Sequence, residues 1–128
     1  MKTDDEQGLN QLTETIIGCA FKVSNTLGCG LLENVDENAM VHELKKNGLV
    51  VEQQRRFKVL YDGVEVGEYI ADIVVERMVL LELKAIKNFD EAHSAQCINL
   101  LAITHLPICL LMNFAKPRIE IKRFRRSS

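Results

Sequence analysis

Apolar positions recur at intervals of three and four through the first part of the chain. Leu12, Ile16, Cys19, Ala20, Val23 and Leu27 form the stripe of an amphipathic helix, which Gly28 and Gly30 should stop. A second helix is expected from about Leu32 to Asn47, with Leu32, Val35, Ala39 and Leu44 inward, Lys45 and Lys46 in its last turn and Gly48 as the stop. Its other face carries Glu33, Asp36 and Glu37 at i, i+3 and i+4, an acidic cluster. Pattern alone reads that cluster as a solvated face favoured by the positive end of the helix dipole.

From Leu49 the period changes to two. LVVEQQ and RRFKVLY read as short strands, the second alternating Phe57, Val59 and Tyr61 against Arg56, Lys58 and Leu60. Asp62-Gly63 is a strong hairpin turn and returns the chain through Val64 and Val66. A strand containing Asp72 follows, then a hairpin at Glu76-Arg77-Met78 and a strand containing Glu82 and Lys84. The near-continuous apolar run from Val79 to Leu83 suits a central strand covered on both faces. Asn88 or Asp90 should cap a third helix ending near Thr104, with Ala92, Ala95, Asn99 and Ile103 on one side and Cys97, Leu100 and Leu101 on another. Pro107 opens a buried strand, ICLLMNF, and IEIKRF alternates as an edge strand with Ile119 and Ile121 on one face. The expected order is α-α-β-β-β-β-α-β-β, a mixed α/β (α+β) sheet flanked by helices.

The stretch YIADIVVERMVLLELKA, residues 69–85, stands out because two buried β runs admit charge at Asp72, Glu82 and Lys84. Unpaired buried charges cost several kcal/mol, on the order of the desolvation of each ion, so such groups pair with one another or bind a metal. Glu82 and Lys84, two apart in a strand, share a face. A two-residue turn at Glu76-Arg77 would set Asp72 opposite Leu81, with the carboxylates on opposite faces. A three-residue turn, Glu76 to Met78, sets Asp72 opposite Glu82. Convergence therefore requires the longer turn or a bulge, and the lack of Gly or Asn there also disfavours a tight type I′ hairpin. An ion pair between Glu82 and Lys84 across one sheet face is the alternative reading.

At 128 residues with 47% hydrophobic and 27% charged positions, the chain fits one globular domain, 1–128, with a polar lead at 1–10 and a basic tail at 125–128. No apolar run approaches the ~20 residues of a membrane span. The acidic start MKTDDEQ lacks the apolar core of a secretory signal, so the cytoplasm is the expected compartment. Cys19, Cys29, Cys97 and Cys109 have no zinc-site spacing and should be free thiols. His42 and His93 read as helix histidines, and His105 as a turn residue. A net charge of −2 excludes coating of nucleic acid by bulk charge. Two basic groups could nevertheless hold a phosphate backbone: Arg55, Arg56 and Lys58, and the cluster from Lys116 to Arg126. A solvated tail is the other reading of the second group.

GLLENVD, the lone Asp of EYIADIVVE, LLELKAI, AHSAQCINLL and LLMNF together resemble the small GxxExxY proteins, a branch of the PD-(D/E)XK nuclease superfamily. The blocks run in one order from about Ile16 to Phe124. The resemblance implies a restriction-endonuclease-like core and hydrolysis of DNA or RNA phosphodiesters. It implies that Asp72 and Glu82 are metal ligands, with the backbone carbonyl of Leu83 completing a Mg2+ or Mn2+ site. Lys84 would position or polarise the attacking water, Glu33 would add an acid from the second helix, and Gln96 would stand where related nucleases place a helix Gln. Hard oxygen ligands suit Mg2+ or Mn2+, and an ammonium near them offsets anionic charge.

The family pattern has Tyr where this chain has Asp36, His where it has Ser24, and Tyr near the position of Leu100. The acids and lysine persist while the aromatic and imidazole positions do not. A catalytically degenerate nuclease-fold protein that binds a partner without cutting is therefore the alternative function. The expected partner is nucleic acid, with no membrane, and a homodimer is the commonest assembly for such a domain.

Overall fold

A computed structural model describes residues 5–127. Helices α1 (Glu6–Leu27) and α2 (Glu33–Lys46) come first, followed by strands β1 (Val51–Tyr61), β2 (Val64–Val75) and β3 (Val79–Lys84). Helix α3 (Glu91–Thr104) and strands β4 (Ile108–Asn113) and β5 (Glu120–Arg125) complete the order. The strands form one sheet, β1-β2-β3-β4-β5. Every pair is antiparallel except β3 and β4, which are parallel because α3 crosses between them.

Apolar periodicity decides what covers each face. Leu12, Ile16, Ala20, Met40 and Leu44 of α1 and α2 pack on Ile73, Leu81, Leu110 and Met112. On the opposite face Cys97, Leu100 and Leu101 of α3 pack on Val74, Leu80, Cys109 and Leu111. The mixed sheet is thus sandwiched between helices, as expected. All of β4 is buried, which is why its sequence is apolar at every position up to Asn113.

The turns set the register. Asp62 and Gly63 are both left-handed (φ 52° and 75°), the type I′ geometry that matches strand twist. Between β2 and β3 the loop has three residues, Glu76 to Met78, as convergence required. Its first two are also left-handed, at φ 53° each. Contacts to the start of β1 hold them there: Glu76 N–H donates to the Val50 carbonyl at 2.8 Å, and Val50 N–H donates to the Glu76 carboxylate at 2.6 Å. The pairs Val75–Val79, Val74–Leu80 and Ile73–Leu81 follow, and the next step along both strands sets Asp72 opposite Glu82.

Several expectations are corrected. The separate strands LVVEQQ and RRFKVLY are one strand, β1, with a left-handed Gln54 (φ 53°) near their join and a register shift against β2 between Val59 and Leu60. Helix α2 is rotated from its expected orientation: Leu32 is 72% exposed and Val35 is exposed, while Asp36, Glu37, Met40, Glu43 and Leu44 are buried. The acids can turn inward because Glu43 meets Lys22 of α1 and Lys46 at 3.4 and 3.5 Å, and Glu37 faces amide donors on β1. Leu27 is exposed where α1 ends and the chain turns through Gly28. Helix α1 starts within the expected polar lead, at Glu6, with Asp5 accepting from Gly8 N–H at 2.6 Å; residues 1–4 and Ser128 lie outside the described residues. The basic C-terminal stretch is not a solvated tail through Arg125. It forms β5, with Arg123 donating to Asn10 at 2.9 Å and Arg125 to Glu6 at 2.6 Å.

Candidate active site

Asp72 and Glu82 meet where β2 and β3 stop pairing. The backbone ladder ends at Ile73–Leu81, and the two acids continue the connection with their side chains. Asp72 N–H donates to Glu82 Oε2 at 3.1 Å, and Leu83 N–H donates to Asp72 Oδ2 at 2.8 Å. Each carboxylate therefore satisfies a backbone donor left open by the other strand. The strands part here, and the opening holds two acids that counting alone would have placed only as neighbours.

Of the four α2 acids, Glu37 is the one whose charge acts on both Asp72 and Glu82. It is buried and accepts from Gln54 Nε2 at 3.0 Å on each carboxylate oxygen and from Gln53 Nε2 at 2.6 Å. Glu33, the acid to which the GxxExxY resemblance gives a role, is exposed and accepts from Ala85 N–H at 2.9 Å. It pins the start of α2 to the end of β3. Asp36 is 2% exposed, and its Oδ1 has no hydrogen-bond partner among the described residues. The solvated-face reading of the cluster is thus overturned at Asp36 and Glu37. Glu37 and Gln54 were not singled out as site residues from the sequence. The one available signal was that Glu37 lies a single turn of helix from Glu33.

Lys84 is half-buried at the end of β3, and its charge draws down the pKa of both Asp72 and Glu82. No ion pair within 4.0 Å joins it to either acid among the described residues, so it is not the internal salt bridge of the alternative reading. Asn113, paired with Lys84 across the parallel strands, clamps the loop beyond: its side chain donates to the Ile86 carbonyl at 2.8 Å and accepts from Ile86 N–H at 3.2 Å. Gln96 is half-buried on α3, and no hydrogen bond joins it to Asp72, Glu82 or Lys84 among the described residues. His93 closes a capping box with Asp90 at the start of α3, and the four cysteines are free.

Electrostatics mark the site as short of positive charge. Burial, then Asp72, pushes the Glu82 carboxyl up from 4.5 to about 7. Burial also raises Asp72, opposed by the Leu83 N–H, and Asp36 rises through burial and the nearby Glu33. Carboxylates this close to one another and served by one lysine favour a proton or a cation. Among the described residues no three His, Cys, Asp or Glu side chains are already gathered about one point. Mg2+ does not need that, since it keeps several waters and takes one or two carboxylates. The donor set of Asp72, Glu82 and the Leu83 carbonyl is made of hard oxygens and fits such an ion.

A family model described as the PD-(D/E)XK nuclease superfamily matches residues 10–124. The chain belongs to that superfamily. Its members generally use divalent metal ions, in keeping with the acids gathered here. Among solved structures, an alkaline exonuclease (LHK-Exo) from Laribacter hongkongensis superposes with a TM-score of 0.55 at 13% identity, over 96% of this chain and 71% of that one. The crystal structure of SSO0001 superposes with a TM-score of 0.58 at 14% identity, over 75% of this chain and 51% of that one. The chain therefore spans about half the length of SSO0001, and both likenesses are likenesses of fold. No curated protein sequence matches the chain. No helix among the described residues is long and apolar enough to cross a membrane.

Proposed function

We propose that the protein is a divalent-metal-dependent nuclease of the GxxExxY branch, hydrolysing phosphodiester bonds of DNA or RNA. The observation that carries this reading is the cross-bonding of Asp72 and Glu82 at the parting of β2 and β3, with Lys84 two residues on and Glu82 held near neutrality. A divalent cation held by Asp72, Glu82 and the Leu83 carbonyl would neutralise phosphate charge and favour ionisation of a water. Lys84 would orient that water or contact a phosphate oxygen. Gln96 would act from α3 once substrate is present. The exposed Lys87 and Arg118 lie in the loops that follow β3 and β4, the ends of a parallel pair where α/β sheets bind ligands, and are suited to phosphates flanking the site.

A second reading is favoured by Asp36, which stands buried and partnerless where the family has Tyr. If ionised it would repel phosphate, and the protein would bind a partner without cutting. Its raised pKa favours the neutral form and weakens that objection.

Cleavage of labelled single- and double-stranded DNA and RNA with Mg2+ or Mn2+, by wild type and by an Asp72→Asn, Lys84→Ala double variant, separates the two. Metal-dependent cleavage by wild type alone is expected. Equal inertness of both proteins, with Mn2+ still bound by wild type, would sink catalysis and favour the binding role.

A further inference from the structure

Gln54 sits opposite Asp72 in the β1/β2 register, between the pairs Gln53–Ile73 and Arg55–Ala71, yet takes no part in the ladder. Its φ of 53° is left-handed, a conformation that is strained for a non-glycine residue and persists only where the surroundings impose it. In a regular strand, consecutive side chains point to opposite faces. Gln53 and Gln54 nevertheless both donate to the same carboxylate, Glu37 of α2, at 2.6 and 3.0 Å. The left-handed residue cancels the alternation and makes this double approach possible.

The effect extends along both strands. Val51 packs with the α1/α2 core, whereas Phe57, an even number of residues on, packs with the α3 core. On β2, Ile73 and Val75 belong to the first core, and Ala71 and Tyr69 to the second. The sheet changes its inward face at Gln54 on one strand and at Asp72 on the other. Gln54 thus ties the α2 acid Glu37 to β1 at the position that faces Asp72 on β2.

We infer that Gln54 is a positioning residue: its left-handed backbone and its amide hold Glu37 at the level of Asp72, where it adds negative charge behind the cation that Asp72 and Glu82 would bind rather than ligating it. Glu37 has no ion-pair partner among the described residues, and its donors are neutral amides. Its negative charge is therefore available to a cation that Asp72 and Glu82 bind directly. Side chains just outside a metal's ligand set typically contribute 10- to 100-fold in affinity. The inference rests on the metal-binding reading proposed above.

Calorimetric titration of the full chain with Mn2+, alongside metal-free thermal melts, tests it. Gln54→Gly keeps the backbone at ease at positive φ and removes only the amide. It should melt no lower than wild type while its Mn2+ Kd weakens about tenfold. Gln54→Asn, which tolerates the left-handed region but reaches less far, should fall between the two. Wild-type affinity in both variants would overturn the inference, as would an affinity loss that merely follows a fall in melting temperature. If wild type itself takes no Mn2+, the metal reading fails first and this inference falls with it.

Discussion

Glu82 is the residue on which burial and function conflict most openly. A carboxyl that is 4% exposed, beside Asp72 and within the field of Glu37, is easier to keep protonated than ionised. Its folded pKa of about 7 lies above the ordinary 4.5, so between those values the folded state binds more protons than the unfolded one. The free energy of unfolding therefore falls as pH rises through that window. At about 1.4 kcal/mol per pKa unit the loss is ~3 kcal/mol, complete above pH 7. Asp72 shifts in the same direction. Melting of the metal-free protein in EDTA from pH 5 to 8 should show this decline, and saturating Mg2+ should flatten it. A melting temperature that rises with pH in EDTA would contradict the electrostatic account of the site. Lys84 lowers both acids without an ion pair to either among the described residues, as the proposed contact of its ammonium with a phosphate would require.

The loop between β2 and β3 does for the element what those bonds do for the residues. Its third residue keeps Asp72 and Glu82 opposite one another, because a shift of one residue moves a strand's whole side-chain set to the other face. Deleting Met78 should therefore abolish Mn2+ binding and cleavage while leaving a folded, helical protein by circular dichroism. Arg77, left-handed and making only a 3.7 Å contact with Glu52, gives the matched control. Arg77→Gly should raise stability by about 0.5 kcal/mol, since Gly relieves the positive φ at some entropic cost, with cation affinity unchanged. The requirement for a three-residue turn was legible from the spacing of Asp72 and Glu82. The left-handed geometry of Glu76 and Arg77 was not, because Val50, far away in sequence, supplies the partners that hold it. Helix α2 shows the same limit. Its periodicity favoured Leu32 and Val35 as inward residues, and the helix instead buries Glu37 against glutamine amides of β1 and carries Asp36 inward beside it.

At the scale of the whole molecule, two cores sharing β2, β3 and β4 join the helices on opposite faces of one sheet. We propose that residues 1–128 fold as a single cooperative domain. Urea unfolding followed by the fluorescence of Tyr61 and Tyr69, in a chain without tryptophan, should coincide with unfolding followed by circular dichroism. Tyr69 packs against the α3 core, whereas most of the helical signal comes from α1 and α2. Separate midpoints would show two independent units. The ties from β5 to α1, through Arg123 and Arg125, link the two ends of the chain across that sheet.

The sequence by itself determined the helix and strand order after Leu49 closely, the two buried strands of the sheet, the turn length between β2 and β3, and the pairing of Asp72 with Glu82 that follows from it. These follow from local periodicity, turn chemistry and the cost of charge in an apolar run, all of which act over a few residues. Tertiary structure alone decided which α2 acid turns toward that pair, where Gln54 bends β1, and how the basic C-terminal stretch is held. Each of those depends on a partner at least 16 residues away, such as Gln53 with Glu37 or Arg125 with Glu6. A pattern of hydrophobic and polar positions records that a side chain is charged, but only packing decides whether the group that meets it is water, an amide or another acid.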